Sequence, residues 1–146
     1  MDKLTIKQLA PYLPYQLKCK TEHSIAILAA LTTIDIYECA SFVEVPLDMV
    51  GENGMVHFED FKPILRPLSD LTKEIEVNGE VFTPLYWIDK NLNHDKSMGL
   101  VIGSNGFVEM NHWVEFEKLF EWNFDVFGLI EKGLAIDINN IDNSCL

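Results

Sequence analysis

Few residues in this chain are spaced for chemistry. His112 and Glu115 stand three apart at the start of a helical segment. That spacing puts two metal ligands on one helix face when others converge on it. No matching pair occurs elsewhere, and capping or surface contact is the plainer role. His94 and Asp95 share a polar loop, while His23 and His57 are isolated. Asp60, Asp70 and Glu74 fit one helical surface, but paired catalytic carboxylates need a pocket that drives their pKa values apart. The run Gly103-Ser104-Asn105-Gly106 lacks the further glycines and the lysine of a phosphate loop. No serine sits in a nucleophile elbow. Cys19, Cys39 and Cys145 are too few and too scattered for a disulfide framework or a zinc site. No catalytic residue, metal ligand or cofactor-binding residue is therefore assigned, and no cofactor is expected.

The elements that would position any site are clearer. Trp113 to Gly133 reads as one long amphipathic helix. On a helical wheel Phe116, Leu119, Phe120, Phe124, Val126, Phe127 and Ile130 share a broad apolar side, and Glu117, Lys118, Glu121, Asp125 and Lys132 oppose it. Asn111 suits its N-cap and Gly133 its left-handed end. Asn123 falls near the centre of the apolar arc, a place that calls for a hydrogen bond to a buried strand end. Trp122 and Leu129 flank the arc, seven residues apart. With Glu115, Glu121 and Asp125 they form an acid-ringed apolar ridge, the signature of a protein interface, if only the main face is buried. If the helix is covered on three sides, they belong to the core.

Upstream, Thr5 and Gln8 have the spacing of a capping box for a short helix over residues 6–13, weakened by Pro11 and ended by Pro14. Residues 16–21, 24–37 and 38–45 carry strand signals. The stretch IAILAAL also suits a helix, but its shortness and the following Thr32-Thr33-Ile34 favour a strand. Pro63 suits a first helical turn, and Leu65, Leu68, Leu71 and Ile75 have helical spacing. Asn78-Gly79 between Glu76-Val77 and Glu80-Val81-Phe82 marks a type I′ hairpin. A helix is plausible from Leu85, a second hairpin turns at Asn105-Gly106, and the alternation in residues 134–141 suits an edge strand. The fold class is α+β, with a small antiparallel sheet, curled or barrel-like, packed by the long C-terminal helix and shorter helices. One domain over residues 1–146 is the simplest organisation.

Composition narrows the function further. The 146 residues are 48% hydrophobic and 23% charged, with a net charge of −12. That balance disfavours disorder and non-specific nucleic-acid binding, and it favours a basic protein partner. Residues 107–146 hold eight acids against Lys118 and Lys132. No apolar run approaches the ~20 residues of a membrane span, and the N-terminus does not read as a secretory signal. A cytoplasmic location is the default. Arg66, one of only eleven basic residues, stands between Leu65 and Pro67 and has the makings of a specifying contact.

Four stretches taken together carry a resemblance: KLTIKQLAPYLPYQLK at 3–18, FKPILRPLSDLTKEI at 61–75, NGEVF at 78–82 and FEWNFDVFGLIEKGLAIDIN at 120–139. They resemble a family of small uncharacterised proteins encoded by phages and prophages of Bacteroides-like bacteria. The resemblance implies a mobile-element gene expressed in the bacterial cytoplasm. It carries no activity and no site residues across. The leading expectation is a non-enzymatic acidic accessory protein that binds and modulates a host or phage protein. The alternatives are a small metal- or nucleotide-dependent enzyme, whose candidates are His94, Asp95, His112 and Glu115, and a component of particle assembly.

Overall fold

A computed structural model describes residues 2–22, 24–43, 55–92, 101–102, 108–109 and 113–141. The chain opens with helix α1, Ile6–Leu9, where the Thr5 amide donates to Gln8 Oε1 at 3.0 Å. Pro11 and Pro14 then tighten the backbone into a 3-10 helix, Ala10–Tyr15, which buries Tyr12. Strands β1 (Lys18–Thr21), β2 (Ile25–Ile34) and β3 (Tyr37–Val43) follow. The alanine- and leucine-rich stretch is thus a strand, as its β-branched neighbours suggest. After β4 (Val56–His57) comes β5 (Phe61–Leu65).

These five strands and β10 (Ile136–Asp137) make a six-stranded sheet in the order β10-β5-β1-β2-β3-β4. Every pairing is antiparallel except β10 on β5. The sheet is open. Its two edge strands are only two residues long and do not meet, so it does not close into a barrel. Strand β5 corrects the helical reading around Pro63. Phe61, Pro63 and Leu65 face one side of the sheet and are all buried, which is strand periodicity. Pro63 is tolerated because the second neighbour, β10, pairs only with Ile64 and Leu65. Helical character returns only as a 3-10 helix, Leu68–Thr72.

The hairpin of β6 (Ile75–Val77) and β7 (Glu80–Phe82) has the two-residue turn that Asn78-Gly79 signals, with φ of 52° and 84°. Helix α2, Pro84–Leu92, begins on a proline, which suits the first helical position. Strands β8 (Val101–Ile102) and β9 (Val108–Glu109) pair antiparallel across the second hairpin. Its turn residues, together with His23, His94, Asp95, Asn111, His112 and Cys145, lie outside the described residues.

The tail differs most from its sequence reading. Helix α3 runs Trp113–Glu121 and stops there, twelve residues short of Gly133. Asn123 takes the left-handed conformation at φ 58°. Its amide donates to Phe120 O (3.0 Å), and the Phe124 amide donates to Leu119 O (2.9 Å). That pair of bonds is a Schellman closure, sealed by the buried side chains of Leu119 and Phe124. Gly133 is left-handed too, at 73°, but it ends only the turn after Leu129. None of the described helices is long and apolar enough to cross a membrane.

Two apolar clusters result. One packs Cys19, Leu28, Phe61 and Leu65 of the sheet against Leu9, Tyr12, Phe120 and Leu129. The other gathers Leu71, Ile75, Ile88, Leu119, Trp122 and Phe124 between the β6–β7 hairpin, α2 and α3. Burial of the Cys19 thiol pushes its pKa up, so it behaves as an inert core residue. Asn123→Ala should cost about 1–2 kcal/mol, because a Cβ-bearing side chain without a local polar group is strained at positive φ. Asn123→Gly should be neutral or stabilising. Urea denaturation of the two variants checks both outcomes.

Candidate functional site

A cleft of about 780 Å³ opens where the sheet, the β6–β7 hairpin and the end of α3 converge. The side chain alternation of β1 and β5 sends Lys18 and Arg66 to its sheet wall, on the face opposite the main core. The hairpin supplies the facing wall with Glu76 and Glu80, because a tight turn holds these two residues at its mouth. The closure of α3 at Asn123 places Lys118, Glu121 and Trp122 along the third side.

The aromatic part of the cleft is tightly interlocked. Trp122 lies 4.9 Å from Phe82 and 5.3 Å from Trp87, ring centroid to centroid. Lys118 Nζ sits 4.8 Å above the Trp87 ring and 2.7 Å from Glu121 Oε2. A cation held between a ring face and a carboxylate fixes both side chains. Arg66 is half-buried. Its backbone is fastened on both sides: its amide donates to Asn123 O and the Asp125 amide donates to its carbonyl, each at 2.8 Å. Burial lowers the guanidinium pKa, opposed by the nearby Asp70 carboxylate. It stays charged, since arginine titrates so far above neutrality. Asn123 Oδ1 is buried beside it with no hydrogen-bond partner among the described residues.

Asp70 is itself buried. It accepts from Asn139 Nδ2 at 2.9 Å and lies 3.3 Å from Lys73 Nζ, tying the 3-10 helix to the chain after β10. Asp60 and Glu74 are exposed, so the three carboxylates do not share a pocket.

The acid-ringed ridge does not form. Trp122 and Leu129 are 6% and 0% exposed, because the chain turns between them and sends each into a different apolar cluster. Glu115 is buried as well, and Glu121 is half-exposed against Lys118. Asp125 is buried with a structural task. Its carboxylate accepts from the Leu129 amide at 2.7 Å and the Ile130 amide at 2.9 Å, closing the loop that follows α3. Among the described residues, no three His, Cys, Asp or Glu side chains converge in a way that could hold a metal ion.

No family model, no curated protein and no solved structure matches this chain. The site therefore rests on its own geometry. Sequence reasoning singled out Arg66 as a specifying contact and Trp87 as aromatic surface, but it did not foresee that they meet Lys18, Lys118 and Phe82 in one cleft, which only the third dimension brings about.

Burial raises the Asp125 pKa, partly offset by the Ile130 and Leu129 amides. The folded state then binds this proton more tightly than the unfolded chain. The Asp125 contribution to stability should therefore fall as pH rises from about 3.8 through the raised folded value. Asp125→Ala should cost about 2–3 kcal/mol near neutral pH through two lost buried hydrogen bonds. Asp125→Asn should flatten the pH dependence, as urea midpoints measured across that range will show.

Proposed function

We propose that this chain is a non-enzymatic binding protein that receives a segment of a protein partner in the cleft. The observation that carries this reading is the cleft itself: a basic wall with Lys18 and Arg66, an acidic wall with Glu76 and Glu80, and an aromatic cluster between them. Aromatic and arginine side chains next to polar rims are the composition of protein interfaces. A volume of about 780 Å³ takes several side chains of a peptide. Opposed charges on the two walls fix which side of a bound chain faces the sheet.

The finer setting is part of the same proposal. The resemblance at residues 3–18, 61–75, 78–82 and 120–139 supports a phage or prophage accessory protein that works in the bacterial cytoplasm and modulates a host or phage protein. The net charge of −12 favours a partner that is basic overall. The cleft then supplies specificity, and the general field speeds encounter.

The test is capture of the tagged protein's partner from lysate of a Bacteroides-like host, run in parallel with Arg66→Gln and Trp87→Ala. One stoichiometric protein should be held by the wild type and reduced by each variant, with circular dichroism unchanged. A partner retained equally by both variants would place binding elsewhere on the surface.

A further inference from the structure

Charge is unevenly distributed over the sheet. Strands β1, β2 and β5 lie side by side and together contain no Asp or Glu. In a chain with 23 acids among 146 residues, nineteen strand positions without one make a sharp local exception. The same strands carry Lys18, Lys20 and Lys62; Arg66 follows directly on β5, while the acids Glu22 and Asp60 stand just outside the strands, after β1 and before β5. The three lysines and Arg66 are four of the eleven basic residues.

The register puts all four on one face. Cys19 and Thr21 turn into the core, so Lys18 and Lys20 point to the opposite side. Lys20 stands directly across from Lys62, and Lys18 directly across from Ile27. Lys62, Ile64 and Arg66 alternate with Phe61, Pro63 and Leu65, and of the first three only Ile64 is buried, between the exposed Lys62 and the half-buried Arg66. Two like charges directly opposite on neighbouring strands are unfavourable for folding. No carboxylate pairs with Lys18, Lys20 or Lys62 among the described residues. Beside this basic row runs an apolar one, with Ile25 and Ile27 half-buried and Val43, opposite Ile27, exposed.

We infer that this sheet face is a track for an extended acidic segment of the partner, with acidic and apolar residues interspersed, running from Lys62 and Lys20 past Lys18 to Arg66 in the cleft. The inference rests on the binding role proposed above and names the chemistry of the segment bound. Alternate residues of an extended chain lie about 6.8 Å apart, the same step that separates Lys18 from Lys20 along β1. Acidic side chains at that period meet the lysines, and the row of Ile25, Ile27 and Val43 borders the segment along one side. Glu76 and Glu80 on the far wall of the cleft repel the segment there and keep its acids on the sheet side. A nucleic acid fits less well. Lys118 already covers the Trp87 face on which a base would stack.

Fluorescence anisotropy with labelled decapeptides tests this. The probes alternate Leu with Glu, Gln or Lys, and a single-stranded oligothymidine serves as a fourth. The Glu peptide should bind the full-length protein more tightly than the Gln peptide, and more weakly as salt is raised. The double variant Lys20→Gln/Lys62→Gln should lose at least about tenfold in affinity. Its urea midpoint should be no lower than that of the wild type, because a like-charge pair is relieved. Lys18→Gln, an exposed single change, should weaken binding in the same direction. Preference for the Lys peptide that Trp87→Ala abolishes would overturn the acidic segment and leave the cleft reading standing. Preference for oligothymidine, or Glu-peptide binding unchanged in the double variant, would overturn the track. Failure of the wild type to bind any peptide would overturn the track and the cleft reading together.

Discussion

The hydroxyl of Tyr12 sits where three distant parts of the chain meet. It donates to the carbonyl of Phe124, 112 residues away, and accepts from the Val126 amide at 3.3 Å. Its ring stacks edge-on against Phe120 at 5.0 Å and is fully buried. A buried phenol has to satisfy its polar end, and this one does so on backbone that has no regular ladder of its own. Burial, with the Asp125 charge nearby, pushes the Tyr12 pKa up and keeps the hydroxyl protonated as a donor. Phe124 in turn bridges to Arg66 beside the end of β5. The segment after α3 is thus pinned from one side by the first helical region and from the other by the sheet.

That pin decides the shape of the cleft. With Phe124 fixed, the Schellman closure at Asn123 turns Trp122 toward Phe82 and Trp87 and leaves Lys118 above them. The same segment continues through the Asp125 loop to β10, which covers the outer end of β5 next to Arg66. One irregular stretch of chain therefore joins two apolar clusters, ends a helix, supplies a strand and forms a wall of the site. Few of its residues are free to vary without loss of more than one of these tasks.

Local grammar was legible in the sequence wherever the signal was short-range. The Thr5–Gln8 spacing, the Asn78-Gly79 turn and the strand character of residues 25–34 all correspond to what forms. The errors are of two physical kinds. Asn123 carried the information that α3 ends, because asparagine tolerates the left-handed conformation nearly as glycine does, yet the helical periodicity of its neighbours runs straight through it. Pro63 argued for a helical turn, but tertiary pairing of Cys19 with Pro63 holds that segment as a strand. The cleft was largely illegible. Lys18, Arg66, Trp87 and Lys118 are scattered over a hundred residues, and no local pattern announces that strand register and a helix end bring them to one place. Their types alone marked Arg66 as a scarce cation and Trp87 as aromatic surface, without joining them.

The span of the Tyr12 bond has a consequence for how the protein is made. A ribosome delivers the first helical region and strands β1 to β3 long before Phe124 and Val126 exist. Until they emerge, Tyr12 and the inner face of the sheet have nothing to close over them, and β5 lacks its β10 neighbour. Partly synthesised chains carry open apolar surface and unpaired strand edges, the features that recruit chaperones and invite aggregation. Closure of the native core is therefore a late event of synthesis, because Tyr12 waits for Phe124 and Val126.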